Sequence, residues 1–239
     1  MCPDRRATFR LLTCEHGGND VPARYRHLFD GASAALESHR GYDPGALGVA
    51  REMAARLAAP LIFSTTSRLL VELNRSPDHP MLFSEFAASL SRAERQEIVA
   101  TLYAPYRGSV ETTIAAAVGA GHEVHHVGVH SCADELDGDR RDLDIALLFN
   151  TDRAREAALC ERWVAAMRRV RPELRYRFNE PYRGADDGLT TTMRGTFPPD
   201  AYLGIEVEVR QGMIGGAEEQ RVIGELLSST LALSHHESP

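Results

Sequence analysis

The sequence predicts an α/β fold in which a largely parallel sheet is covered by helices on both faces. Short apolar runs alternate with amphipathic segments from end to end, the pattern of strands joined through helices. No Pro/Gly/Ser-rich linker and no internal repeat interrupts the 239 residues. Residues 1–239 are therefore expected to form one domain, somewhat above the usual ~100–200 residues. A hydrophobic share of 43% supplies the core.

The expected strands are 8–13, 61–64, 123–129, 143–149, 174–178 and 203–210, each short and closed by polar or turn residues. Helices fill the gaps. An Ala-rich one follows Asp43-Pro44, where Asp43 can serve as N-cap and Pro44 as the first helical residue. The next opens at Ser91-Arg-Ala-Glu94, a capping box, bends at Pro105 and runs out in Val118-Gly-Ala-Gly121. Another runs from Thr151-Asp152 through Trp163 and Val170 to Pro172, and the last covers 217–233. Ligands of such sheets sit at the carboxyl ends of the strands.

Composition removes whole classes of chemistry. The basic residues are 27 arginines and no lysine, which excludes a Schiff-base lysine, a P-loop lysine and a Ser–Lys nucleophile. With a net charge of −7 and no basic run beyond Arg5-Arg6, Arg140-Arg141 and Arg168-Arg169, nucleic acid is not an expected partner. The amino terminus carries an acid and two arginines where a secretory signal needs an apolar core. No segment reaches the ~20 apolar residues of a membrane span. Cys2, Cys14, Cys132 and Cys160 show no CxxC spacing, so a reduced, cytoplasmic setting is expected.

The first strand runs into Cys14-Glu-His-Gly-Gly-Asn-Asp-Val-Pro22, which puts Glu15 and His16 at the carboxyl edge of the sheet. Glu123-Val-His-His-Val-Gly-Val-His130-Ser131 brings His130 to the same edge. Either histidine alone reads more readily as a structural residue than as a ligand, and two at one edge bring the readings level. Together with nearby carboxylates they form the donor set of a divalent ion such as Zn²⁺, whose catalytic sites take three protein ligands and leave one position open. In the HxxE pattern of zinc carboxypeptidases the acid lies three residues after the first histidine, but here that residue is Asn19. The third ligand is thus open between Glu15 and Asp43, and locally Asp43 reads more readily as a helix cap.

In Gly204-Ile-Glu-Val-Glu-Val-Arg-Gln211, Ile205, Val207 and Val209 alternate with Glu206, Glu208 and Arg210. An edge strand with a solvated face would explain the charged row. Alternatively, one of its carboxylates moves a proton beside a metal. Arg75 and Arg141 flank apolar runs, and a guanidinium fork suits a carboxylate.

Taken together, these segments resemble the N-formylglutamate amidohydrolase family from Cys14 to about Ile214. The likeness rests on Cys14-Glu-His-Gly-Gly-Asn-Asp-Val-Pro22, His39-Arg-Gly-Tyr-Asp-Pro-Gly-Ala46, Leu73-Asn-Arg-Ser76, Val129-His-Ser131, Arg141 before Asp144-Ile-Ala-Leu-Leu148, Asn179-Glu-Pro-Tyr182 and Glu206-Val-Glu-Val-Arg-Gln211, in the family's order. It implies a three-layer sandwich around a largely parallel mixed sheet, of the phosphorylase/hydrolase type and related to zinc exopeptidases. It further implies a divalent metal, expected to be zinc, on His16, Asp43 and His130, with Glu208 as the catalytic acid–base. Asn74, Arg75, Arg141, Asn179 and Tyr182 match positions expected to bind a small N-acyl amino acid. The chain departs from the family pattern in two places: Thr190-Thr-Thr-Met-Arg194 carries no histidine, and Asp142-Leu143 replaces a Pro-Trp pair.

The expected activity is hydrolysis of an N-formyl or other small N-acyl amide, as in N-formylglutamate. The rival readings are a non-catalytic binder of metal or small acids and an exopeptidase-like amidase acting on short peptides.

Overall fold

A computed structural model describes residues 6–136 and 138–233, so Cys2 and Arg5 lie outside the described residues. In chain order the elements are β1 (Thr8–Cys14), α1 (Ser33–Leu36), α2 (Ala46–Leu57), β2 (Leu61–Phe63), α3 (Arg92–Ile98), α4 (Ala104–Gly119), β3 (Glu123–Cys132), β4 (Glu135–Leu136), β5 (Asp139–Arg140), β6 (Ile145–Leu148), α5 (Ala154–Val170), β7 (Tyr176–Phe178), α6 (Leu189–Thr196), β8 (Tyr202–Arg210) and α7 (Ala217–Leu233). Six strands form the main sheet in the order β2-β1-β3-β8-β6-β7. The first four are parallel, whereas β6 runs antiparallel to β8 and carries β7 parallel to itself. β4 and β5 make a small separate hairpin.

The sheet is mixed, mostly parallel, and covered on both faces, as the sequence predicts. Its two-residue period sorts the side chains. Leu12, Val127, Val129, Val207 and Val209 point to one face and pack with Val49 and Met53 of α2, Trp163 of α5 and Leu227 of α7. Leu11, Val124 and Tyr202 point to the other, against Val110 and Ile114 of α4 and Met193 of α6. Buried Trp163 keeps its indole N–H satisfied by donating to Leu227 O at 3.1 Å and Thr230 Oγ1 at 3.0 Å. None of the described helices is long and apolar enough to cross a membrane.

Two local expectations are corrected. β8 is no edge strand: it lies between β3 and β6, so its charged row faces the second helical layer. Asp43 does not cap α2, because Gly45, at φ 81°, is the residue before the helix and turns the chain so that the Asp43 side chain leaves it. A side chain at Gly45 would put its Cβ 2.5 Å from Ile214 O. By contrast the capping box at Ser91 forms as expected. Pro105 has no N–H to donate. The helix absorbs this in a π-turn over Val99–Tyr103, where Ala104 N–H reaches back to Val99 O.

Two buried or half-buried arginines tie the layers together. Arg210 at the end of β8 pairs with Asp144, 3.0 Å away, and with Asp134, so both ends of the segment joining β3 to β6 are pinned to one guanidinium. Arg194 of α6 pairs with Glu156 of α5 at 3.0 Å and donates to Gly184 O at 2.5 Å and Gly204 O at 2.7 Å. Glu156 in turn accepts from Gly204 N and Asn150 N, both at 3.0 Å. Removing one partner from such a pair leaves a buried charge uncompensated. Arg194→Met should lower unfolding stability by ~3–5 kcal/mol in denaturant titration, and adding Glu156→Leu should recover much of it. A loss below ~1 kcal/mol from Arg194→Met would show that the pair does not hold α5 to α6.

Candidate functional site

The parallel strands deliver histidines to one edge. β1 ends at Cys14 and hands His16 to the following loop, while His130 lies near the end of β3. Asp43 arrives from the loop before α2, anchored by its backbone N–H to His16 O at 2.9 Å. The Ser131 hydroxyl donates to Pro44 O at 2.9 Å and holds the same loop. The result is one carboxylate oxygen between two imidazoles: Asp43 Oδ2 lies 3.3 Å from His16 Nδ1 and 3.0 Å from His130 Nδ1. The two rings stand 5.2 Å apart at 58°.

His16, Asp43 and His130 are all buried, and their ligand atoms lie within 4.8 Å of one another, a group that can hold a metal ion. Ligands ~2.0–2.1 Å from a tetrahedral ion stand about 3.3 Å from one another. Both spacings from Asp43 fall close to that edge length, so the donor set and its geometry fit a divalent cation. Of the two carboxylates left open by the sequence, Asp43 faces the Nδ1 atoms. Glu15 lies behind His130, with Oε2 3.1 Å from Nε2.

Electrostatics follow from burying so many charges together. Burial opposes charge on His130, yet the hydrogen bond to Asp43 and the nearby charges of Asp43 and Glu15 outweigh it and push the imidazole well above its ordinary value. Burial likewise opposes ionisation of Asp43, but His16, His130 and Arg68 hold its carboxyl well below the usual range. Glu208 behaves in the opposite way. It sits on β8 directly across from His130, buried, with Oε2 lacking any hydrogen-bond partner. Burial pushes its carboxyl up to about 7, Asp43 and Glu206 adding to the rise while His130 and Arg68 oppose it.

A cavity of about 230 Å³ opens over this group. Asn74, Arg75, Arg141, Tyr182, Glu206 and Glu208 line it together with His16, Asp43 and His130. Arg141 donates to Tyr182 OH at 3.2 Å and lies 5.3 Å over that ring. Asn74 Oδ1 accepts from Leu189 N at 2.7 Å, and Arg75 donates to Asp187 O, which together lash this loop to the start of α6. Glu206 accepts from Thr190 Oγ1 at 2.9 Å, whereas Glu208 Oε2 is unpaired, which separates the two acids of the row. Asn179 is the expected site residue that does not reach the cavity. Its Oδ1 accepts from Phe149 N at 3.0 Å and Gly184 N at 2.9 Å, so it holds the loop carrying Tyr182 instead.

The sequence reading missed Glu72. Its Oε1 lies 2.5 Å from His16 Nε2, on the far side of that ring from Asp43. The available signal was an acid inside the apolar run Leu69-Leu-Val-Glu-Leu73. Arg68, also missed, donates its Nε to Glu72 Oε2 at 2.8 Å and approaches Asp43 Oδ1 at 3.4 Å.

A sequence profile of N-formylglutamate amidohydrolase matches residues 10–215. The chain belongs to the N-formylglutamate amidohydrolase family. Among solved structures, a gene product of Agrobacterium tumefaciens is 31% identical with a TM-score of 0.82, over 95% of this chain and 90% of that one. The N-formylglutamate amidohydrolase from Ralstonia eutropha is 18% identical with a TM-score of 0.70, over 98% of this chain and 96% of that one. No curated protein matches. Membership supports amide hydrolysis as the chemistry of this amidohydrolase fold.

Cys132 also lines the cavity. Burial, with Glu208 adding to it, pushes its thiol up to about 12, so almost no thiolate exists near neutrality. In the native protein at pH 8, Cys132 should escape alkylation by iodoacetamide for as long as the fold persists, as followed by peptide mass mapping. Labelling as fast as that of a free thiol would mean that Cys132 is ionised in place.

Proposed function

We propose that this chain hydrolyses the amide bond of a small N-acyl amino acid, with N-formylglutamate the leading candidate, and that His16, Asp43 and His130 hold a divalent metal, zinc by preference. The observation that carries this reading is the approach of both Nδ1 atoms to one Asp43 oxygen, 3.3 and 3.0 Å away, beside an unpaired Glu208 carboxylate. When bound, the metal supplies Lewis acidity, which polarises a carbonyl oxygen and makes water more acidic.

The rest falls to this chain's own side chains. Glu208 takes a proton from the attacking water and passes it to the nitrogen of the leaving amine, a task suited to a carboxyl whose affinity for protons is raised by burial. Arg75 and Arg141 receive the substrate carboxylate. Both line the cavity, and among the described residues neither is paired with an acid. Arg141 Nε is moreover buried and unpartnered. Asn74 keeps the Arg75 loop in place through Leu189 N.

The test couples metal analysis of purified protein to a panel of N-acyl amino acids, with released formate or other acid as the readout. Wild-type protein should carry about one equivalent of metal and turn over at least one substrate; binding without product would make it a silent binder instead. His130→Ala should lose stoichiometric metal and activity together. Glu208→Gln should keep the metal and lose roughly 10²–10⁴-fold in kcat, the usual scale for a positioned acid–base group. If Glu206→Gln lost as much while Glu208→Gln stayed near wild type, the roles within the row would be exchanged.

The carboxylate clamp is checked by substrate choice. Arg75→Ala and Arg141→Ala should each lose about tenfold or more in kcat/KM on an N-acyl amino acid and much less on the matching amide without the carboxylate. Equal losses on both substrates would assign that arginine to the scaffold.

A further inference from the structure

An imidazole presents its two nitrogens at opposite edges of the ring, and here each site histidine is bracketed by carboxylates at both. His16 turns Nδ1 to Asp43 and sets Nε2 2.5 Å from Glu72 Oε1. His130 also turns Nδ1 to Asp43 and places Nε2 3.1 Å from Glu15 Oε2. We propose that Glu72 is a positioning residue that holds the Nε2–H of His16, while Glu15 sets only its charge behind the Nε2 edge of His130, and that the two keep both Nδ1 lone pairs aimed at a cation shared with Asp43. The proposal rests on the metal reading above.

Neither glutamate is a ligand in this arrangement, because each lies across its ring from the Nδ1 edge. What Glu72 can do is accept a hydrogen bond from the Nε2–H of His16, which fixes the tautomer, locks ring rotation and makes the opposite nitrogen a better donor to the metal, whereas Glu15 can bias His130 only through its charge. The two are not equivalent. Glu72 is gripped on both oxygens, by Arg68 Nε at 2.8 Å and by Asn74 N at 2.9 Å. Arg68 also reaches Asp43 Oδ1 at 3.4 Å. One guanidinium thereby registers a ligand and the carboxylate behind another ligand in a single frame.

Glu15 is held differently, by Tyr106 OH of α4 at 2.9 Å. Its approach to His130 Nε2 has the distance of an ion pair but not the alignment of a hydrogen bond, since that nitrogen makes none. The geometry therefore ranks Glu72 above Glu15. It also gives Arg68 a purpose that a substrate clamp would not need, since its fork is already occupied by Glu72 and Asp43.

The measurement is zinc affinity of the purified protein by chelator competition, read beside the unfolding midpoint of the metal-free form. Glu72→Gln keeps the size of the side chain and removes its charge, and should weaken zinc binding by about 10–100-fold while the metal-free protein stays folded. Glu72→Asp, which keeps the charge and draws it back, should fall in between. Glu15→Gln should weaken binding less than Glu72→Gln. If Glu72→Gln does not fold, the comparison of Glu72→Asp and Glu15→Gln with wild type decides the matter. Wild-type zinc affinity in folded Glu72 variants, with only the metal-free midpoint lowered, would overturn the proposal and leave Glu72 a scaffold residue. Wild-type protein that takes up no stoichiometric metal would instead overturn the reading on which it rests.

Discussion

The upper edge of this fold is organised by the need to bury charge without stranding it. Glu15, His16, Asp43, Glu72, His130 and Glu208 are all buried in one region, and an unpaired charge in such surroundings costs several kcal/mol. Each loop there is shaped by the partner it delivers. The 38–45 loop brings Asp43 between two imidazoles, the 66–74 loop brings Arg68 and Glu72 behind one of them, and α4 sends Tyr106 across to Glu15. The exception is Glu208, which lines the cavity and has one buried oxygen without a hydrogen-bond partner. One acid left unsatisfied among satisfied ones is what the proton-acceptor role proposed for Glu208 requires.

The sheet was legible in the sequence because its signals are local. Apolar runs mark all six strands of the main sheet, and His16 and His130 could be placed at one edge because parallel strands share a carboxyl end. β3 runs on to Cys132, beyond the expected end at Val129, since β8 pairs with it as far as Arg210. The polar His130-Ser131 step looked like a strand end only without that neighbour. The same neighbour decided the charged row: alternation along β8 was visible, but whether its polar face met water or a cavity depended on strand order, which no short window contains.

Glu72 escaped for a related reason. It lies in a stretch with no regular element, and its partner His16 is 56 residues away. Asn179 is the converse case: its segment carried part of the family likeness, while its side chain accepts from the backbone of Phe149 and Gly184. An arginine-only set of cations suits this architecture. Arg194, Arg210 and Arg68 each hold two or more acceptors at fixed angles, which the point charge of a lysine could not do.

The reversal of β6 sends the chain between β3 and β6 back across the mouth of the cavity, with Arg141 on it and both its ends tied to Arg210. A segment closed at its base behaves as a self-contained loop, whose closure entropy rises by only ~0.6 kcal/mol for each doubling of length. Its length and composition can therefore drift without disturbing the strands beneath. On the proposed reading, the segment that carries Arg141 is thereby separable from the strand ends that carry His130 and Glu208, so the wall that meets a ligand can change while the floor that holds the histidines does not.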